Sequence, residues 1–256
     1  MPATPAWPPH STPRLFVPAP ITAGPRIIEG AQAHYLAQVM RAKAGDPVLI
    51  FDGESGEWLA LVGDIGKRAL TLDVREQRRP VEAVPDLWLC AAPLKKGRID
   101  WLAEKTCELG AARLVPVITQ RTIVDRLNGE RLRAHMIEAA EQCGRTAVPD
   151  LAEPVKLAAM LRDWPADRAL FFADESGGAP AAEAMAARPG PAAILIGPEG
   201  GFTDDERAAI RALPAAVPVS LGPRILRADT AAAAALALWM ASAGDWRASP
   251  DRSRGP

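Results

Sequence analysis

Beyond residue 86 the chain repeats one pattern: a short apolar run, a turn, then a stretch with helical spacing. The apolar runs are DLWLCAAP, LVPVIT, ALFFAD, AAILIG and AVPVSLG, and the helical stretches cover residues 98–109, 131–143, 179–187, 204–213 and 230–243. Strands that alternate with helices are read as a mostly parallel sheet in an α/β layer, because each helix carries the chain back to start the next strand in the same direction. Gly110 and Gly144 stop two of these helices, as C-terminal glycines do. Before residue 80 the pattern differs. There RLFV, VLIF, EWLALV and ALTLDV are separated by Asp52-Gly53-Glu54-Ser55-Gly56 and by the turn at residues 63–67, the signature of hairpin-connected strands in a small β-barrel. One amphipathic helix is expected over residues 30–41, with Tyr35, Leu36, Val39 and Met40 at helical spacing. The segment REQRRPVEAVP has the charge and prolines of a linker. The expected division is therefore an arm at residues 1–13, a barrel at 14–79, a linker at 80–85, an α/β domain at 86–244 and a tail at 245–256, with both ends disordered.

A chain of 256 residues accommodates two modest cores. Its 30 basic and 31 acidic side chains exclude a polybasic glue for nucleic acid but permit a local basic groove. Three cysteines, Cys90, Cys107 and Cys143, are odd in number and lack a CxxC pair, so neither a disulfide framework nor a zinc site is indicated and a reducing cytoplasm fits. No metal is expected. The start lacks the basic and apolar regions of a signal peptide, and the longest apolar run, residues 231–241, falls short of the ~18–20 residues that span a bilayer.

Two loops carry the chemistry. Strand AAILIG runs into Gly197-Pro198-Glu199-Gly200-Gly201-Phe202, and Thr203-Asp204-Asp205-Glu206 then reads as a capping box. A glycine-rich turn at the carboxyl end of a parallel strand is where open α/β sheets take ligands. The spacing is neither G-x-x-x-x-G-K-[ST] nor G-x-G-x-x-G, which removes the main support for a nucleotide phosphate site. Glu199 and the three acidic residues after the loop favour a neutral or cationic ligand. The simpler reading of these glycines is a tight turn. The second loop is Leu221-Gly222-Pro223-Arg224-Ile225-Leu226-Arg227-Ala228-Asp229-Thr230, ahead of an alanine-rich helix that Asp229 is placed to cap.

Taken together and in order, GPEGGFTDDE and LGPRILRADTA resemble the bacterial 16S ribosomal RNA uridine-N3 methyltransferases of the SPOUT, or α/β-knot, superfamily. KGRIDWLAEKTCELG, Gln120-Arg121 and EQCGR add to the likeness, as do RLFV and HYLAQVMR, so it covers nearly the whole chain. The resemblance implies an N-terminal PUA-like RNA-binding barrel and a C-terminal domain with a deep trefoil knot. It implies S-adenosylmethionine bound against Leu195, Ile196, Gly197, Pro198, Glu199, Gly200, Gly201, Leu221, Gly222, Ile225 and Leu226. It further implies 16S rRNA of the small ribosomal subunit as substrate, one uridine near the decoding site as target, and a homodimer through the C-terminal domain. The sequence departs from the family where Arg-x-Glu-Thr is usual and Arg227-Ala228-Asp229-Thr230 stands here.

Methyl transfer from a sulfonium to a ring nitrogen is an in-line displacement in which positioning does most of the work. Uracil N3 becomes a good nucleophile only when its proton leaves, so a cation aimed at O2 or O4 is needed, and Arg227 is the first candidate. Glu199 or Asp229 could take the proton, while Glu199 equally suits the cofactor's cationic end. Arg14, Arg41, Arg98, Arg121 and Arg145 form a candidate track for RNA phosphates, and Phe202 or an arginine plane a platform for a base. His34 and His135 lie outside both loops. A ribose 2′-O methyltransferase sharing the knot, or a non-catalytic RNA-binding assembly factor, are the rival readings.

Overall fold

The computed structural model describes residues 12–95, 97–124 and 126–247; most of the expected arm, and the tail from residue 248, lie outside them. The chain folds as two compact units, and among the described residues 140–147 belong with the N-terminal unit, which otherwise ends at residue 83. The second unit takes up residues 84–139 and resumes at residue 148.

In the first unit, strands β1 (Arg14–Phe16), β2 (Gly24–Glu29), β3 (Pro47–Phe51), β4 (Glu57–Ile65) and β5 (Ala69–Arg79) form a sheet in the order β1-β3-β4-β5-β2. The β1–β3 pair is parallel and the other three pairs are antiparallel. β1 and β2 end the path and are not paired with each other among the described residues, so strand pairing does not close the expected barrel. Along the first half of β5 buried residues alternate with accessible ones, placing Leu70, Leu72 and Val74 inside with Val48, Ile50 and Val62.

Three expectations need correction here. β5 runs on through Arg79, so REQRR is strand rather than linker. β2, GPRIIE, is a strand that the sequence does not mark, because its polar and apolar residues fail to alternate cleanly. The expected helix breaks into α1 (Gly30–His34) and a π-helical turn at Tyr35–Val39, with only Ala33 and Leu36 buried and Val39 62% exposed. A widened turn rotates the later side chains off the apolar stripe.

Residues 140–147 complete this unit by hydrogen bonding. The Arg14 guanidinium donates to Glu57 Oε2 at 2.7 Å and to the carbonyls of Ala140, Glu141 and Arg145 at 2.5, 3.0 and 2.9 Å. Burial of Glu57 pushes its carboxyl pKa up, but hydrogen bonds from Arg79 and the Arg14 charge outweigh this and hold it below the usual value. Glu82 accepts from Arg145 Nε at 3.1 Å and from the amides of Thr146 and Ala147.

The second unit is a wholly parallel sheet. Its strands are β6 (Leu87–Ala91), β7 (Arg113–Ile118), β8 (Asp150–Leu151), β9 (Val155–Lys156), β10 (Ala169–Ala173), β11 (Ala179–Pro180), β12 (Ala192–Ile196) and β13 (Ala216–Ser220). The order is β11-β13-β10-β12-β6-β7-β8, with β9 also on β7. β12 is buried at all five positions, as a central strand covered on both faces must be. The helices are α2 (Arg98–Glu108), α3 (Gly129–Cys143), α4 (Leu157–Arg162), α5 (Ala181–Ala186), α6 (Asp204–Ala212) and α7 (Ala228–Ser242). From β6 the chain first lays β7 to one side, then places β10, β12 and β13 on the other; such a reversal opens a crevice at the carboxyl ends of the strands. α7 buries Ala231, Ala232, Ala235, Leu236, Trp239 and Met240, so its small side chains serve packing within the chain. Residues 245–247, expected as tail, form a 3-10 turn after α7.

Candidate functional site

At the carboxyl ends of β10, β12 and β13 lies a cavity of about 500 Å3, within the usual size of small-molecule sites. Its walls are the two loops singled out in the sequence. Residues 196–199, Gly201, Leu221, Gly222, Ile225, Leu226 and Arg227 all line it. Leu195 and Gly200 do not. Leu195 is fully buried in the core because alternate residues of β12 face opposite sides of the sheet. A Cβ on Gly200 would instead meet the Arg121 side chain at 3.4 Å.

The first loop is held from several directions. Gly201 N donates to Pro198 O at 2.9 Å, closing a turn whose last residue has φ +67°, where glycine is favoured. Arg121 Nη1 donates to Gly200 O at 2.6 Å, and Arg207 Nη1 to Asp174 Oδ1 at 2.6 Å. Phe202 is 4% exposed and packs against Gly197, where a Cβ would lie 3.1 Å from its ring. Phe202 therefore cannot be the stacking platform; its ring is core. The capping box is present: Thr203 Oγ1 accepts from Glu206 N at 3.3 Å and Glu206 Oε2 accepts from Thr203 N at 3.0 Å. The other oxygen of Glu206 accepts from Gln120 N at 2.7 Å, tying the end of β7 to α6.

Asp174, at the end of ALFFAD, belongs to the site although the sequence reading omits it. Its side chain is fully buried and receives Arg207 and Arg211 at 2.6 Å each, with Ser176 N at 2.9 Å. Burial pushes its carboxyl pKa up, yet the Ser176 amide and the two guanidinium groups hold it below the usual carboxylate value. The signal that could have found it is an acid ending an apolar strand, with two arginines one turn apart on α6.

The second loop has little bracing. Arg224 and Ile225 are exposed, Ile225 at 91%. Gly222 sits at φ +105° with nothing within 4 Å of where a Cβ would be, so a side chain there would enter open space at the cavity. Arg227 is exposed at the cavity wall, and its guanidinium makes no hydrogen bond or ion pair with described residues. It, rather than Asp229, is the N-cap residue of α7; Asp229 lies in the first turn, where its Oδ1 accepts from Thr230 N at 2.8 Å. The helix starts two residues earlier than expected, and a carboxylate in its first turn complements the helix dipole without capping.

The five candidate RNA arginines divide. Arg14 and Arg145 are committed within the first unit, Arg145 being 7% exposed and paired with Glu82, so neither offers a free fork to phosphate. Arg41 is exposed at φ +54°, and its side chain makes no bond to described residues. Arg121 braces the first loop. Arg98, the first residue of α2, stands beside both loops, its guanidinium 3.8 Å from Glu199 and 3.7 Å from Asp229. His34 is on α1, and His135 pairs with Glu104 at 2.9 Å. Among the described residues no group of three His, Cys, Asp or Glu could hold a metal, and no helix is long and apolar enough to cross a membrane.

Residues 82–240 match the family of RNA methyltransferase domains, and residues 28–75 the RNA methyltransferase PUA domain. The chain is 31% identical over 207 residues to ribosomal RNA small subunit methyltransferase E of Rickettsia conorii, covering 80% of this chain and 84% of that one. It is 34% identical over 215 residues to the protein of that name in Synechocystis, covering 81% and 70%. The crystal structure of a ribosomal RNA small subunit methyltransferase E from Neisseria gonorrhoeae, bound to S-adenosyl methionine, superposes with a TM-score of 0.83 at 25% identity, covering 92% of this chain and 99% of that one. With a matched catalytic-domain model over more than half its length and relatives aligned over most of theirs, the chain belongs to the RNA methyltransferase family represented by the ribosomal RNA small subunit methyltransferase E proteins.

Proposed function

We propose that the protein methylates N3 of a single uridine in the 16S rRNA of the small ribosomal subunit, using S-adenosylmethionine, in the cytoplasm. The observation that carries this reading is that an unengaged guanidinium, Arg227, and a carboxylate, Glu199, line one cavity from two separate loops, with a second carboxylate, Asp229, two residues beyond Arg227 in the first turn of α7.

The cavity fits the cofactor. Its lining has three carboxylates (Asp174, Glu175, Glu199) and three guanidinium groups (Arg207, Arg224, Arg227), a near balance that suits a small zwitterion with an extra cationic centre better than a polyphosphate. Ile196, Leu221 and Leu226 supply an apolar wall for an adenine, and the space left by the missing side chain of Gly222 admits close approach. When bound, the cofactor supplies an electrophilic methyl group. Ile196, Gly197, Pro198, Gly201, Leu221, Gly222 and Leu226 would hold it. Arg227 places a two-point donor where negative charge develops on the uracil oxygens, and Glu199 or Asp229 takes the N3 proton directly or through water. The knot of the SPOUT superfamily is assigned to residues 192–242, a reading supported by α7 packing back onto β12 and β6. A homodimer through the second unit is supported by the half-buried apolar face of Ala233, Ala234, Ala237 and Leu238 on α7 and by Trp101, 38% exposed on α2.

The test is incubation of small subunits lacking the modification with the protein and isotope-labelled S-adenosylmethionine, followed by nucleoside mass spectrometry. Labelled 3-methyluridine is the expected product. A 2′-O-methylnucleoside would replace the reading with ribose methylation, and cofactor binding without any product would favour an assembly factor.

A further inference from the structure

We propose that Arg98 is a positioning residue that ties the two loops together and, by engaging their carboxylates, leaves Arg227 unpaired for substrate; this rests on the methyltransferase reading above. Arg98 is the guanidinium that lies within 4 Å of both Glu199, from the first loop, and Asp229, in the first turn of α7 directly after the second. At 3.8 and 3.7 Å these are ion pairs rather than close hydrogen bonds, so the bridge is electrostatic and yields to small movements of either loop.

The position of Arg98 is built rather than incidental. Gly97 precedes it at φ +90°, a conformation that favours glycine, and turns the chain into α2. Asp100 Oδ2 accepts from Gly97 N at 3.2 Å, and Asp100 Oδ1 is 3.1 Å from Arg131 Nη2 on α3. The start of α2 is thus held by its own first turn and by a second helix before Arg98 reaches across to the loops. A phosphate contact would gain nothing from two carboxylates beside it; their joint charge exceeds that of Arg98 and repels an anion. With Arg98 absent, Glu199 and Asp229 lose their common partner, and Arg227, two residues from Asp229, is the cation nearest in sequence to compensate Asp229.

The experiment compares wild type with Arg98→Gln and Arg98→Lys by two readouts. The first is amide hydrogen exchange in the cofactor-free protein. In Arg98→Gln, exchange over residues 197–202 and over residues 222–229 should rise together, about 5- to 20-fold, while the core strands stay unchanged; Arg98→Lys, which keeps a charge without the fork, should fall between. The second is steady-state methylation of small subunits: Arg98→Gln should lower kcat about 10- to 100-fold with KM for RNA unchanged, and Arg98→Lys should restore part of it. A raised KM with normal kcat and a shallower salt dependence would overturn the proposal and make Arg98 a phosphate contact. Unchanged exchange in either loop would overturn it as well. If exchange moves as expected but wild type methylates no RNA, the bridge stands and the functional reading falls.

Discussion

The two walls of the cavity are built to opposite specifications. The loop at residues 197–202 is fastened by a turn hydrogen bond, by Arg121 on Gly200 O, by a buried Phe202 and by the reciprocal Thr203–Glu206 cap. The loop at residues 221–227 projects Arg224 and Ile225 outward, leaves the Arg227 guanidinium unpaired among described residues, and leads into a helix without a side-chain cap. The difference separates two uses of the same residue type. Gly197 and Gly200 are accommodated by neighbours of their own chain, whereas Gly222 faces nothing. One wall is fastened and the other is not, which suits a site that takes a small molecule and an RNA substrate.

The strongest way to break this contrast is Phe202→Ala. If the first wall is rigid because its aromatic ring is core, the substitution should cost about 3–5 kcal/mol in urea unfolding and reduce S-adenosylmethionine binding with it. A loss below about 1 kcal/mol would mean the wall does not depend on that ring. Next comes Arg227→Lys on the unfastened wall. Under the proposed uridine-N3 reading, cofactor affinity by calorimetry should hold while turnover falls about 100- to 1000-fold, because an ammonium would not keep two-point geometry beside a uracil oxygen. Raising the pH should recover part of the rate by ionising more of the uridine, whereas a purely phosphate-binding Arg227 would show itself as a salt-dependent RNA affinity.

A paired substitution sharpens the contrast between glycines. Gly222→Ala forces a side chain into a left-handed position, at roughly 1–2 kcal/mol, and into the cavity, so cofactor affinity should drop by about tenfold or more. Gly200→Ala should leave affinity within about threefold, since its Cβ meets only the flexible Arg121 stem at ordinary contact distance. Acid sensitivity tests the bracing of the buried carboxylates. Asp174 and Glu57 both have carboxyl pKa values lowered in the folded protein, so their stabilisation is present above the unfolded-state values near ~4 and fades as pH falls further. Urea midpoints should be flat from neutral pH to about 5 and decline below about 4; in Asp174→Asn the decline should be shallower, from a baseline lower by about 1.5–3 kcal/mol.

The longer strands of the second unit and its helices other than α4 were legible because each apolar run is bounded by a turn residue and a helical stretch follows it; α4, of six residues, is too short to show a period. β8, β9 and β11 were not, since two residues of pairing leave no periodicity to read. The two loops were legible as a site through their glycines and their place after apolar strands. Their division of labour was not: Leu195 and Gly200 read like their neighbours, and only the direction each position faces separates them from the lining. Arginines were the least legible of all. Arg14, with carbonyl partners more than a hundred residues away, and Arg98, with carboxylates from two loops, are the same letter in the sequence, and long-range partners alone assign one to scaffold and the other to the cavity mouth.

The assignment of residues 140–147 to the first unit has a consequence for synthesis. Translation delivers residues 1–83 first, but the carbonyls that receive Arg14 and the segment that engages Glu82 emerge only with residues 140–147. At about 5–20 residues per second that interval is roughly 3–13 s, during which the nascent unit holds Arg14 and Glu82 without their full set of partners. No single cleavage point separates the two units, so a fragment ending at residue 83 reproduces this unfinished intermediate rather than a finished domain.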